Sequence, residues 1–227
     1  MKRCFWLVCL CIAVIPLNAQ KNSDYGVFGG VSYYMGDINP ATPFYKSSPA
    51  LGFIYRYNFH PRHALRTNIF YGGIKANDLD FNNDFQQARG ESFKSSVLEW
   101  AVQFEFNFLP YTTTGKWWDY SPYFALGAGL CLTDSPGLTF KPVIPFSVGL
   151  KVNIYKNTGL EVEYGFRKTF YDNFDGLTDN INPDHHTWTH NNDWYMFAGV
   201  TFTWKMFHDL TTCPAYDDYK DKKRRYR

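Results

Sequence analysis

The chain has 227 residues, a formal net charge of +2 and 20% aromatic residues, with a mean hydropathy of −0.37. That length suits one domain with a sizeable interior, and no apolar run of about 18 residues follows the first twenty positions, which argues against a transmembrane helix. The negative hydropathy does not exclude a membrane, because the strands of a barrel are apolar only at alternate residues, and the 17 Tyr, 21 Phe and 7 Trp suit aromatic girdles better than a soluble core.

Lys2 and Arg3, the apolar run Cys4 to Leu17 and the end Asn18-Ala19-Gln20 read as a secretory signal peptide over 1–19, cleaved after Ala19. Three of the five cysteines leave with it. Cys131 and Cys213 remain, too few for a disulfide framework. Residues 20–207 then carry a succession of alternating segments. Asp24 to Gly36 sets Tyr25, Val27, Val31 and Tyr33 against small or polar neighbours, and Asp37-Ile38-Asn39-Pro40 ends it. Pro49 to His60 places Leu51, Phe53, Tyr55, Tyr57 and Phe59 opposite Gly52, Arg56 and Asn58. After the turn at Pro61-Arg62, Ala64 to Lys75 sets Leu65, Ile69 and Tyr71 opposite Arg66 and Asn68. A polar stretch, Ala76 to Glu91, follows.

Val97 to Phe108 has the strictest division. Leu98, Trp100, Val102, Phe104, Phe106 and Phe108 share one face, and Glu99, Ala101, Gln103, Glu105 and Asn107 the other. A period of two with an unbroken apolar face predicts a strand between lipid and a wet, charged interior. Tyr111 to Tyr120 is a connector with Trp117 and Trp118 at a membrane boundary. Pro122 to Thr133 is the fifth strand, Asp134 to Pro142 a loop, and Val143 to Tyr155 the sixth strand, weakened by Pro142 and Pro145. Lys156-Asn157-Thr158-Gly159 reads as a hairpin turn into Leu160 to Phe170, where Glu161, Glu163 and Arg167 face inward. A long polar loop, Tyr171 to Asn192, precedes Asp193 to Phe207, with Trp194, Met196, Ala198, Val200, Phe202 and Trp204 outward.

Eight strands with one lipid-facing side predict an all-β fold, an eight-stranded antiparallel transmembrane β-barrel of outer-membrane type, since hydrocarbon offers no partner to an open edge. Connectors after the second, fourth and sixth strands read as shorter than those after the first, third and seventh. That places the short set and both mature termini in the periplasm. Interior charges are expected from Arg56, Arg66, Lys151, Arg167 and Lys205 against Glu99, Glu105, Glu161 and Glu163, as a salt-bridged plug in a lumen only wide enough for side chains. A proton or ion path is the less favoured reading of the same charges.

His185, His186 and His190 have a spacing that could seat a metal, but no second ligand group accompanies them, so neither metal nor cofactor is expected. Ser92, Ser95 and Ser96 could meet that loop in space, as a lipid-modifying barrel enzyme would require, but no nucleophile signature surrounds them. The expectation is a protein that is not an enzyme. Residues 208–227 form a basic tail. Lys220, Lys222, Lys223, Arg224, Arg225 and Arg227 make it a solvated segment or a dock for an acidic partner, anionic lipid or the cell wall. Loss of Lys2 and Arg3 with the signal leaves the mature chain neutral by count.

The signal peptide, the first-strand ending SYYMGDINP and the last strand WYMFAGVTFTWKMF together resemble the PorG family, outer-membrane barrels of the type IX secretion machinery. The resemblance implies a non-enzymatic component that ties a periplasmic ring of the lipoprotein PorK and the protein PorN to the outer membrane. Lys222, Lys223, Arg224 and Arg225 are then candidate contacts to that partner. Cys213 is either a free thiol or half of an intermolecular bridge, and the resemblance favours a bridge to the ring lipoprotein. An OmpA-like structural barrel contacting the cell wall is the alternative, and a lipid-modifying barrel enzyme a further one.

Overall fold

The computed structural model describes residues 23–205 apart from 37, 40–41, 83, 114–116, 135–138, 156 and 171–193. The signal peptide, the His185/His186/His190 loop, Cys213 and the tail with Lys222, Lys223, Arg224 and Arg225 lie outside the described residues.

Eight strands follow one another as antiparallel neighbours: β1 (Ser23–Met35), β2 (Ser48–His60), β3 (His63–Asn77), β4 (Ser92–Asn107), β5 (Tyr120–Thr133), β6 (Thr139–Tyr155), β7 (Thr158–Thr169) and β8 (Trp194–Trp204). β1 also pairs with β8, from Tyr25↔Trp204 to Met35↔Trp194, and so closes the barrel. Ser23 and Lys205 lie at one end, which we call the base. The opposite end, carrying the β1–β2 and β3–β4 connectors, is the rim.

Alternation fixes which side chains face out. On β4, Leu98, Trp100, Val102 and Phe104 are exposed while Glu99, Ala101, Gln103, Glu105 and Asn107 are buried. Leu51, Phe53, Ile69, Leu126, Val162, Val200 and Phe202 extend the exposed apolar wall around the barrel. An apolar surface this continuous is the outer face of a membrane barrel rather than of a soluble one.

Three differences from the pattern have physical causes. The sixth strand begins at Thr139, well before Val143, because Pro142 points outward and faces Leu130 without a β7 partner. Pro145 does disturb the ladder: β5–β6 pairing runs to Leu126↔Phe146 and resumes only at Gly129↔Val143. As a result the connectors do not alternate cleanly in length. The β5–β6 connector, 134–138, is short although it lies at the rim, and the β4–β5 connector, 108–119, is as long as the β1–β2 connector, 36–47. Third, Met196 is outward by register but only 4% exposed, because the rim connector folds back: the Phe44 ring lies 5.0 Å from that of Tyr33, the register partner of Met196.

The polar stretch after β3 holds a 3-10 turn (Asp78–Asp80) and a short helix α1 (Asp84–Arg89). Arg89 clamps buried Asp78 through Nε at 2.6 Å and Nη2 at 2.7 Å. Gln86 Nε2 donates to the Ile38 carbonyl at 2.9 Å, and the Asn39 amide donates to the carbonyls of Tyr34 and Thr42. The two connectors are thereby tied together over the rim, with Ile38 buried among Tyr34, Ile74, Ala76 and Val97.

Candidate functional site

Inward positions bring charge from six strands into one lumen. Asp24, Glu99, Glu105, Glu161 and Glu163 meet Arg56, Arg66, Lys141, Lys151 and Arg167, all at most 2% exposed, so five negative groups face five positive ones. Nearer the base, Arg56 donates Nη1 and Nη2 to the two oxygens of Glu161, each at 2.6 Å, and Nε to Glu105 at 3.0 Å. Lys151 donates to the other Glu105 oxygen and, at 3.1 Å, to Asn107. Its ammonium also sits 4.5 Å from the ring centre of Tyr123. Arg66 forms a second fork with Glu163, at 2.5 and 2.8 Å, and reaches the Gln103 carbonyl oxygen at 2.6 Å. The Tyr123 hydroxyl completes it by donating to Glu163 at 2.7 Å. These forks are the bidentate geometry that guanidinium and carboxylate share.

Above them the lumen turns aromatic. Phe28 and Phe70 stack at 4.6 Å, and Phe197 meets Phe70 edge-on at 5.2 Å. Phe28 reaches the axis because Gly30 and Gly199 are register partners at the β1–β8 seam. A Cβ on Gly30 would lie 2.2 Å from the Ala198 carbonyl and 2.9 Å from the tip of Phe28. Arg167 lies over Phe197 at 5.1 Å and gives Nε to both oxygens of Glu99, at 3.2 and 3.1 Å, while Tyr195 donates to Glu99 at 2.6 Å. Cys131, opposite Glu99 in register, is fully buried.

The interior therefore holds Arg56, Arg66, Glu99, Glu105, Lys151, Glu161, Glu163 and Arg167 in paired contacts across the lumen. Lys205 differs. It stands at the base, half-buried, beside a small cavity of about 150 Å³ also lined by Asn58, His60 and Thr113. Asp24 and Lys141 were not named from the sequence. Asp24 shares the parity of Phe28 and was within reach of the alternation argument, whereas Lys141 fell in a segment read as loop. The Ser95 and Ser96 hydroxyls both donate to Asp134, at 2.7 and 2.6 Å, and the Ser96 amide adds a third bond at 2.8 Å. These donors hold the Asp134 carboxyl down at about 2. Ser92 is exposed at the first residue of β4. Among the described residues no group of three or more His, Cys, Asp or Glu side chains is arranged to hold a metal ion.

Comparison with solved structures returns small outer-membrane barrels. Neisserial surface protein A is 11% identical, with 82% of this chain and 97% of that one covered and a TM-score of 0.49. OprG from Pseudomonas aeruginosa is 11% identical, with 83% and 99% covered and a TM-score of 0.46. The N-terminal barrel domain of Pseudomonas aeruginosa OprF is 14% identical, with 81% and 98% covered and a TM-score of 0.43. No curated protein matches the sequence. The sequence profile of one family, DUF6089, described as a domain of unknown function, matches residues 2–215, and the chain belongs to that family.

Proposed function

We propose that the protein is a non-enzymatic outer-membrane component of a protein secretion machinery of the type IX kind, with both mature termini in the periplasm. Its partners on this reading are a ring of PorK-like lipoprotein and PorN-like periplasmic protein. The observation that carries the proposal is the self-neutralised lumen: among the described residues Arg56, Arg66, Lys151 and Arg167 pair with Glu161, Glu163, Glu105 and Glu99 across it. What such a barrel offers other molecules is its wall and its ends. The base adds a handle, since the chain continues from Lys205 into a segment whose last eight residues carry six basic groups. The resemblance of SYYMGDINP and of the last strand to PorG barrels supports the choice of partner.

Purification of the full chain from gently solubilised membranes, beside a variant ending at His208, tests the proposal. Co-purification of a ring-sized assembly with the full chain, lost or sharply reduced on truncation, is the expected result. A lone barrel that instead pulls down cell-wall fragments would replace the proposal with an OmpA-like structural role, and changes in outer-leaflet lipid on overexpression would replace it with an enzyme.

A further inference from the structure

Charge on the strands is sorted between the two faces of the wall. All five strand carboxylates, Asp24, Glu99, Glu105, Glu161 and Glu163, point into the lumen. Three strand cations point outward instead, Lys75, Lys94 and Lys168, and all three lie near the rim. Lys168 stacks on Trp194, with its ammonium 5.4 Å from the ring centre. Lys75 and Lys94 are placed differently: they are register partners, directly opposite one another on β3 and β4. Side chains so placed have Cβ atoms about 4.5–5.5 Å apart, and like charges there repel.

No salt bridge among the described residues takes up either ammonium group: of the rim carboxylates, Asp80 pairs with Lys46, Asp78 with Arg89, and Asp134 is held by Ser95 and Ser96, while Asp84 and Glu91 pair with neither lysine. Two adjacent unneutralised ammonium groups on an outward wall make a site for a doubly charged anion, and their height says which kind. Directly toward the base, the next outward pairs are Gly73↔Ser96, small and half-buried, then Tyr71↔Leu98 and Ile69↔Trp100, all four exposed and apolar in body. Four residues of tilted strand from Leu98 to Lys94 rise roughly 10 Å, and lysine stems bend back toward the boundary. The wall thus presents, in order, a surface for acyl chains, a shallow step without bulky side chains, and two cations at headgroup level.

We propose that Lys75 and Lys94 bind the phosphate of a phosphorylated glycolipid of the surrounding leaflet, with its acyl chains against Tyr71, Leu98 and Trp100. The two ammonium groups then share one dianionic phosphate, and the repulsion between them becomes the reason the site takes an anion.

The test uses the full chain in phosphatidylcholine nanodiscs doped with diphosphoryl lipid A, with retained lipid counted by native mass spectrometry. Both leaflets carry the probe, so the outcome does not depend on which end of the barrel faces the cell exterior or on any secretion partner. K75Q/K94Q is expected to lower lipid A retention by about 30-fold, while K75R/K94R and Lys168→Gln stay near wild type. Folding of each variant is checked by its heat-modifiable electrophoretic mobility. Wild-type retention by folded K75Q/K94Q would overturn the proposal, as would equal retention of dephosphorylated lipid A. Displacement of lipid A by inorganic phosphate at matched concentration would assign the lysines to a soluble anion and overturn it as well.

Discussion

Glu105 is where the lumen network can be tested most sharply. Its carboxylate lies 3.0 Å from Arg56 Nε and 4.0 Å from Arg66 Nη1, and it also takes the Lys151 ammonium. At an effective dielectric of about 20, the two stated separations correspond to attractions of roughly 5 and 4 kcal/mol before desolvation is subtracted. Glu105→Gln removes that charge and leaves a lumen of five cations facing four carboxylates, with Lys151 left to Asn107 and the rings of Tyr123 and Tyr111. Removing one partner of a buried pair costs about 3–5 kcal/mol, and we expect that loss here. Glu105→Gln combined with Lys151→Met restores the balance, and should recover about 1.5–3 kcal/mol of it as a coupling term. Urea unfolding from phospholipid vesicles, followed by tryptophan fluorescence, measures both. A single substitution costing under about 1 kcal/mol, with no recovery in the double, would mean the lumen is wet enough to screen its charges and would refute the sealed-interior argument.

Purified protein in planar bilayers should give no sustained porin-sized current steps, because the two guanidinium forks and the Phe28–Phe70–Phe197 layer occupy the axis. Gly199→Leu should block closure, since even a Cβ there would lie 2.5 Å from the Gly29 carbonyl; the folded band on unheated gels should be lost, while Gly29→Ala, with open space around it, keeps that band. Asp134 gives a pH dependence: its carboxyl is lowered from 3.8 to about 2, so its contribution is complete above about pH 4 and is lost as pH falls through about 2. S95A/S96A should move that loss upward toward pH 4, read by the titration of the Asp134 carboxyl in NMR spectra of the folded barrel. For the cysteines, Cys131 should resist maleimide in the folded protein, and non-reducing electrophoresis of thiol-blocked membranes should show a Cys213-dependent higher band; full labelling of Cys213 in intact cells would sink the bridge.

The wall was legible because hydrocarbon and lumen impose opposite solvents on successive residues. Glu99, Gln103 and Glu105 could be placed inward from parity alone, and the strand count followed from repeating that argument. What parity could not supply is height and partnership. Nothing local in Glu161 says that its mate is Arg56 on a strand it never touches, because the match depends on the stagger of closed strands. Gln103 faces inward as its parity requires, yet parity does not reveal that its carbonyl oxygen is the acceptor for Arg66 Nε. Rim detail was hidden by composition. The stretch from Ala76 to Glu91 is polar, yet Asp78 is buried and clamped by Arg89 within it, and Gln86 reaches across to the first connector. Connector lengths misled because strands extend beyond the alternating pattern, as β6 does through Thr139.

The pairs inside the barrel have a consequence for how it comes into being. Arg56 and Glu161 are 105 positions apart, Arg66 and Glu163 97, and Arg167 and Glu99 68; each pair joins strands that are not neighbours in the sheet. Hairpins added one by one to a growing sheet cannot make any of these contacts. Until β1 meets β8, every one of these carboxylates and guanidinium groups has to stay hydrated, and a half-curled sheet cannot enter hydrocarbon without stranding them. Closure and desolvation then happen together, and the way back is equally steep, because peeling off one edge strand exposes ions from across the lumen at once. The chain is held in its membrane as much by the height of that exit barrier as by the depth of the well.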